Sequence, residues 1–465
     1  MHPGERPTLH QLSYVRARPS FIGVRDPTLG WVGRRGARVD NGPMRTGRSV
    51  VSAVLAAALL GAAPAAGALG DLDRSFGHRG KVMLGGRATD VVVQPDRKVV
   101  ILRNVIRRDD PVVVVTRLRA NGDLDTRFGR DGHTRIRVNE HAQHPAGLAL
   151  RPDGRIVVAF KTQFPGPPRP GIARLRSDGK LDRLFAGDGI RLTTFDDAWM
   201  SPSDVALAGE GDSVVVGTGN PTKASSDGVH ALARYDSTGQ LDESFSGDGI
   251  VTNDVTEWDD EIAAGAVDAH DRVVVTGTLR SASGYQMTIG RYGTDGELDS
   301  SFAGGGIATS GRHRFGTAVA LFQNGEIAVS GFRFRIRTHD FEVMRRGADG
   351  APDAGFGAGG TRVVRFPRRQ DRANALAVDG DALVAVGTSQ SRSNPNGEWA
   401  VARILQDGSL DPAFSKNGKR RVDFGRGTDS ATDVAVDRRG DVVVVGRTGP
   451  PGGTKHVAAV IRLEG

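Results

Sequence analysis

Four short stretches hold the residue types that could bind or react. Two are acidic and aromatic: Phe195-Asp196-Asp197-Ala198-Trp199 and Glu257-Trp258-Asp259-Asp260-Glu261. Two are basic: Arg312-His313-Arg314 and Arg365-Phe366-Pro367-Arg368-Arg369. Trp199 and Trp258 can stack on a sugar or a peptide, with Asp196 and Asp259 hydrogen-bonding hydroxyls or holding Ca²⁺. Asp197 and Asp260 extend the acidic pair, and Arg314 and Arg368 are the cationic candidates. The same residues also suit solvated loops with aromatic packing between neighbouring elements.

Catalytic patterns are missing. Glu140-His141-Ala142-Gln143-His144 offers two imidazoles, His141 and His144, but a His-x-x-His loop without a placeable third ligand is a weak metal site. Asp188-Gly189 and Asp248-Gly249 recur at a fixed interval, which makes them turns; no Ca²⁺ loop with a distal Glu surrounds them. There is no G-x-S-x-G elbow, P-loop or H-E-x-x-H. With no Cys, disulfides, thiolate nucleophiles and Cys-ligated zinc are excluded. We expect no cofactor and no catalytic residue.

These stretches are positioned by a phrase that first reads Asp71-Leu72-Asp73-Arg74-Ser75-Phe76-Gly77. Marked by its Phe, it stands at Phe76, Phe128, Phe185, Phe245, Phe302, Phe356 and Phe414, at intervals of 52, 57, 60, 57, 54 and 58 residues. Leu and Phe four apart point from one turn into one apolar space, and the Asp between them can accept downstream backbone N–H groups. After each phrase the order repeats. Gly147–Leu150 alternates, Asp153-Gly154 turns, Arg155–Ala159 is an unbroken apolar run, Ile172–Leu175 follows, and Ile190–Leu192 comes after the next phrase. Asp-Gly between β-branched runs is a hairpin signal, and the unbroken second run implies burial on both faces.

Four strands in each repeat, seven times over, imply an all-β chain: a seven-bladed β-propeller of four-stranded blades. The chain opens on an extra phrase and Lys81–Leu84, and it stops after a third strand, at Arg462-Leu463. We therefore expect the ring to be closed by the N-terminal strand completing the last blade, which removes free edges. By analogy with other propellers, loops joining fourth to first and second to third strands form the binding face. That rim would be negative over blades three and four and positive over five and six.

The pattern D-G-x-L-D-x-x-F-[GAS]-x-x-G followed by V-A-L-x-x-D-G-[KR]-[IV]-V-V-x-G resembles the delta-60 repeat of exported bacterial proteins, over roughly residues 71–465. The blade grammar is also similar to NHL-type propellers. Pro352 replaces Leu in the sixth copy, and Ala186, Ser246, Ala303 and Ser415 replace the Gly after Phe. The resemblance implies an exported propeller and carries no reaction, ligand or site residue with it.

The net charge of +8 suggests nucleic acid until it is located. Residues 1–43 hold +4 and residues 44–68 hold +2, leaving +2 on the remaining residues, too little for a nucleic-acid surface. Residues 44–68 read as a signal peptide: basic Met44–Arg48, a 14-residue apolar run from Val50 to Ala63, and the cleavage site Ala66-Gly67-Ala68. Residues 1–43 read as disordered or as a start called too early. The mature chain, a single propeller domain over 69–465, is expected to be a monomer, secreted or in the cell envelope, with no membrane span. The expected function is a non-enzymatic scaffold for an extracellular or envelope protein or polysaccharide. The alternative is a metal-dependent hydrolase or lyase acting at the mouth of the propeller channel.

Overall fold

The aspartate of the phrase does what its position implies. Asp73 Oδ1 accepts the Ser75 N–H at 2.8 Å, and Asp353 Oδ1 accepts that of Gly355 at 2.9 Å. The leucine bridges the end of the preceding third strand, as Leu124 does with Leu118 and Leu298 with Tyr292. The phenylalanine is fully enclosed in every copy: Phe185 is 2% exposed and the other six are 0%. Burying each ring stabilises by roughly 1.5–3 kcal/mol. After the ring the backbone turns left-handed, with φ of 55° at Gly77 and 57° at Gly129. Ala186, Ser246, Ala303 and Ser415 hold the same conformation, with φ between 50° and 59°. A side chain there costs about 1 kcal/mol, so the surroundings impose the turn.

The computed structural model describes residues 67–107, 110–138, 142–163, 169–195, 199–209, 211–220, 227–282, 284–335, 338–366, 370–390, 396–425, 427–449 and 457–465. They lie in one compact unit. Residues 1–43, all but the end of the expected signal segment 44–68, and His141, Asp196, Asp197 and Arg368 lie outside the described residues.

The first strand, β1 (Lys81–Gly85), is followed by β2 (Arg87–Val93), β3 (Val99–Arg107), β4 (Asp110–Leu118) and β5 (His133–Ile136), which form an antiparallel sheet in that order. The next sheet is β6 (Ala142–Leu150), β7 (Ile156–Gln163), β8 (Arg169–Leu175) and β9 (Ile190–Leu192). Then come β10 (Trp199–Ala208), β11 (Asp212–Asn220), β12 (Val229–Tyr235) and β13 (Ile250–Asn253). β14 (Asp260–Val267), β15 (Val273–Ser281), β16 (Gly284–Tyr292) and β17 (Ile307–Arg312) make another. β18 (Arg314–Leu321), β19 (Ile327–Arg335), β20 (Thr338–Arg346) and β21 (Thr361–Val364) pair in order, as do β22 (Gln370–Asp379), β23 (Ala382–Gln390), β24 (Glu398–Ile404) and β25 (Lys419–Val422). One parallel bridge, His339 to Gln370, joins these two sheets. The last sheet is β26 (Ser430–Val436), β27 (Val442–Thr448) and β28 (Val457–Leu463), with β1 as its fourth strand, Lys81 opposite Ile461 and Leu84 opposite Ala458.

The unbroken apolar runs are second strands, buried on both faces as expected: Val99–Leu102 and Val214–Val216 are all 0% exposed. Two expectations need correction. His144 lies inside β6, opposite Lys161, and not in a loop; Trp199 opens β10 opposite Asn220. Backbone pairing continues past the apolar run because ladder hydrogen bonds need no apolar side chain.

The first strand of each unit carries a β-bulge at the same place, for example between Ala88 and Asp90 and between Gly316 and Ala318. The bulge drives a carbonyl onto the second strand. A Cβ on Gly277 would lie 1.8 Å from the Glu261 carbonyl oxygen, and one on Gly331 1.9 Å from that of Phe315. This contact accounts for the glycine that ends the V-V-x-G motif. Bulge side chains then reach the next sheet: Ser203 Oγ donates to the Ile262 carbonyl (2.8 Å) and Asn374 Nδ2 to that of Ala431 (2.6 Å). From the last sheet, Thr432 Oγ1 donates to the Ala88 carbonyl of the first at 3.0 Å.

A second belt runs through the phrases. The N–H after each Phe donates to the turn before the next phrase: Gly129 to Asp178, Ala186 to Thr238 and Ser246 to Asp295, each at 2.7 Å. From the phrase at Phe414, Ser415 N–H donates to Leu69, just before the first phrase, at 2.8 Å. An arginine near the end of most third strands locks this belt. Arg117, Arg174 and Arg291 pair through Nε with Asp125, Asp182 and Asp299 at 2.9, 2.8 and 2.8 Å. Their guanidinium carbons stand 4.6, 4.7 and 4.6 Å from the Phe128, Phe185 and Phe302 ring centroids. Arg462 of β28 does the same with Asp73 (2.6 Å) and Phe76 (4.7 Å), and it donates to the Ala120 carbonyl. Arg462→Ala strips a buried carboxylate of its partner, so urea denaturation should show a loss of about 3 kcal/mol. A change below about 0.5 kcal/mol, typical of a surface site, is the contrary result.

Candidate functional site

Of the described candidates, Trp258 and Asp259 lie in a loop joining a fourth strand to a first, whereas Trp199, Asp260 and Arg314 open first strands. Trp258 and Asp259 lie between β13 and β14, and Trp258 is 39% exposed. Arg280, at the end of β15, stands 5.2 Å from the Trp258 ring and pairs with Asp259 at 3.2 Å. Acid and ring therefore share one guanidinium, and this loop is less negative than its composition suggests. Trp199 is half-buried in β10, and no ring contact among the described residues joins it to Trp258.

Asp260 opens β14, fully buried. Its Oδ2 accepts the N–H groups of Val255 and Thr256 at 2.8 Å each, and Oδ1 accepts the Thr256 hydroxyl at 2.7 Å. Its oxygens are committed to holding the preceding loop. Asp371 and Asp429 repeat the arrangement on the N–H groups of Phe366 and Phe424, at 3.1 and 3.0 Å. Burial pushes Asp260 up to about 6 from the ordinary 3.8, with Thr256 and Val255 opposing. Asp371 rises to about 6 for the same reason.

Arg314 opens β18 and lies 3.1 Å from the buried Glu342 carboxylate of β20. Around it is a cluster that the loop composition did not reveal. Arg314 faces Arg333 across β18–β19, and Arg333 faces Asp340 across β19–β20, so the three share one side of the sheet. Asp340 receives Arg335 at 2.8 Å, Arg333 at 3.6 Å and Arg365 at 3.6 Å. The alternating residues form a run of rings: Phe315 stacks on Phe332 at 4.9 Å and 11°, and His339 lies 5.5 Å from Phe332 and 5.1 Å from Phe334. Arg372 of the next unit lies over Phe332 at 4.8 Å and donates to His339 Nδ1 at 2.9 Å. Burial, together with Arg372, lowers His339 to about 4, so the imidazole is neutral and free to accept that hydrogen bond. The signal for it in the sequence is the alternation Phe332-Arg333-Phe334-Arg335, which by itself implies only an extended, half-exposed strand.

His144 Nδ1 sits 3.3 Å from Asn104 Nδ2. Among the described residues, no group of three or more His, Asp or Glu is placed to hold a metal ion. No helix of the described residues is long and apolar enough to cross a membrane. The Asp-Gly pairs are turns: Asp188 and Asp248 accept the N–H groups of Ile190 and Ile250 at 2.8 Å.

The fold is all-β, built of the four-stranded sheets of a β-propeller. A domain of unknown function described as a β-propeller, DUF5122, matches residues 151–185 and 383–414. Both matches fall on the repeated strand-and-phrase unit. Among curated proteins, none matches. Solved structures are similar at low identity. The polysaccharide lyase Uly1 is 12% identical, with 81% of this chain and 89% of that chain covered and a TM-score of 0.47. A protein of unknown function from Dyadobacter fermentans is 12% identical, with 86% and 98% covered and a TM-score of 0.42. The β-propeller domain of the Trilobed protease from Pyrococcus furiosus is 9% identical, with 81% and 93% covered and a TM-score of 0.42. Nothing about activity follows at these values.

Asp260 gives the site a pH signature. Folded Asp260 keeps a proton up to about pH 6, whereas the unfolded chain releases it near 3.8, so its contribution to stability falls as pH rises through that window and is level above it. Asp260→Asn removes that fall for one group. Melting curves should show the variant gaining on the parent from about pH 4 to about pH 6, with the difference between them constant above that. A gap that does not change with pH would show that Asp260 does not titrate there.

Proposed function

We propose that this chain is an exported delta-60 repeat protein whose sheets are seven blades of a ring closed by β1. Its rim acts as a binding scaffold for a protein or polysaccharide outside the cytoplasm, without catalysis of its own. The ring is supported by the hydrogen bond from Ser415 to Leu69, which hands the last phrase back to the first, and by the pairing of β1 with β28. Export is supported by the tripartite pattern of residues 44–68. The binding role is carried by one observation. Exposed rings and guanidinium groups collect at the strand ends from Trp258 to Arg365, where the repeat pattern itself requires neither.

Two measurements test this reading. Since the chain has no Cys, Met83→Cys with Ala459→Cys, at register partners of β1 and β28, introduces the only thiols. Paired residues of adjacent strands lie about 4.5–5.5 Å apart, within disulfide reach. Oxidation should give an intramolecular cross-link visible as a gel shift; cross-linked dimers alone would rule out closure by β1. For function, the full chain is screened by calorimetry against glycans and envelope proteins, with binding expected below about 100 μM. Silence across both panels defeats the scaffold reading.

A further inference from the structure

We propose that Arg87 of β2 and Arg447 of β27 form a binding site for a doubly charged tetrahedral oxyanion, either free phosphate or sulfate or the same group as a monoester. The repeat sets the position. One ladder pair ahead of the pair that ends at each bulge, a first-strand residue faces a second-strand residue: Arg87 faces Asn104, and Ser430 faces Arg447. The second-strand side chain then meets the same first-strand position of the next sheet, and at four junctions the meeting is attractive. Asn104 Nδ2 lies 3.3 Å from His144 Nδ1, and Lys161 Nζ donates to Ser201 Oγ at 3.3 Å. Arg372 lies 4.8 Å over the Phe332 ring, and Thr388 Oγ1 donates to Ser430 Oγ at 2.8 Å. Where the last sheet meets the first, the pair is cation against cation. There Thr432 Oγ1 donates to the Ala88 carbonyl, and Asp433 accepts the Val91 N–H. Val445, two residues before Arg447, packs in one apolar cluster with Ala88. Arg447 thus stands over the start of β2, facing Arg87.

No carboxylate answers these two charges. Among the described residues, neither side chain has an ion pair or a hydrogen bond. Their ladder neighbours, Asn104 and Ser430, are neutral. Asp90 and Asp433, on the same first strands, lie past the bulges and are engaged with each other and with backbone N–H groups. Burial, then repulsion from Arg87, holds the half-buried Arg447 below the ordinary arginine value. A partly desolvated cation without a partner is unfavourable, and a second one beside it adds to the cost. One dianion neutralises both, whereas a carboxylate would leave one charge uncompensated. Guanidinium groups present paired donors that match the oxygens of phosphate or sulfate. Arg87 is exposed, so the anion can enter from solvent.

The test uses the full chain at low ionic strength, titrated calorimetrically with inorganic phosphate, glucose 6-phosphate and acetate. Phosphate or its ester should bind at one site per chain, and acetate about tenfold more weakly. Whichever of the first two binds more tightly identifies the source of the anion, and binding of either supports the site. Arg87→Gln and Arg447→Gln should each weaken that binding about tenfold. Each also removes one of two like charges, so without phosphate neither variant should melt below the parent. Full affinity in both variants, acetate binding as well as phosphate, or no binding of either phosphate would overturn the assignment. A variant melting well below the parent would show that the pair is not repulsive, and would overturn it too. This site goes beyond the scaffold reading and does not depend on it: its failure leaves the glycan and protein screens to decide that reading.

Discussion

Most of the joins between sheets lean on an arginine lying over a phenylalanine. A guanidinium taken out of water must recover its hydration, and Arg174 does so through the Asp182 carboxylate, the Phe185 ring and the Ser237 carbonyl of the next unit. The three partners belong to different levels of structure. The carboxylate fixes the turn, the ring is the core of the unit, and the carbonyl belongs to its neighbour. One side chain thus makes the shape of each turn depend on the presence of the next sheet. Such a clip, repeated along the chain, holds sheets together without a single disulfide.

The bulge of each first strand supplies the complementary constraint at the opposite edge. Its extra residue is polar in several units, as at Ser203, Thr317, Asn374 and Thr432, and each hands a hydrogen bond to the next sheet. Where the residue after the bulge is Asp, its carboxylate also accepts a backbone N–H of the next sheet: Asp90 that of Leu148 and Asp433 that of Val91, both at 2.6 Å. Asp433 is also beside Asp90, and burial with that neighbour raises it well above the usual carboxylate range. Two buried carboxyls at the junction of first and last sheets are thus reconciled by a proton and not by a cation.

What could be read from the sequence was whatever recurs. The phrase, the Asp-Gly turns, the buried second strands and the pairing partner of Lys81–Leu84 all follow from periodicity, because a repeated spacing repeats a backbone path. Partner choice does not. An Arg recurs near the end of the third strand, at Arg117, Arg174 and Arg291, but its alignment with the aspartate eight residues on depends on how the turn folds back. Asp260 looked like a ligand because it stands in an acidic run; burial makes it the anchor of that run. The Asp340 cluster depends on register: Arg314, Arg333 and Asp340 are far apart in sequence and become neighbours only when β18, β19 and β20 align.

This division has a consequence for where function can reside. A residue that recurs in every unit is already spent on the clip, the bulge or the turn, and changing it costs stability. Residues that break the pattern are under no such constraint. Phe334 and Arg335 stand where the strand has outrun its apolar core, so folding alone does not require a ring or a charge there. Trp258 is likewise open to solvent above a loop that Asp260 already holds. A rigid repeat thus leaves its strand tips as the part of the molecule free to be specific, and in this chain aromatic and cationic side chains gather at those of β19 and β20.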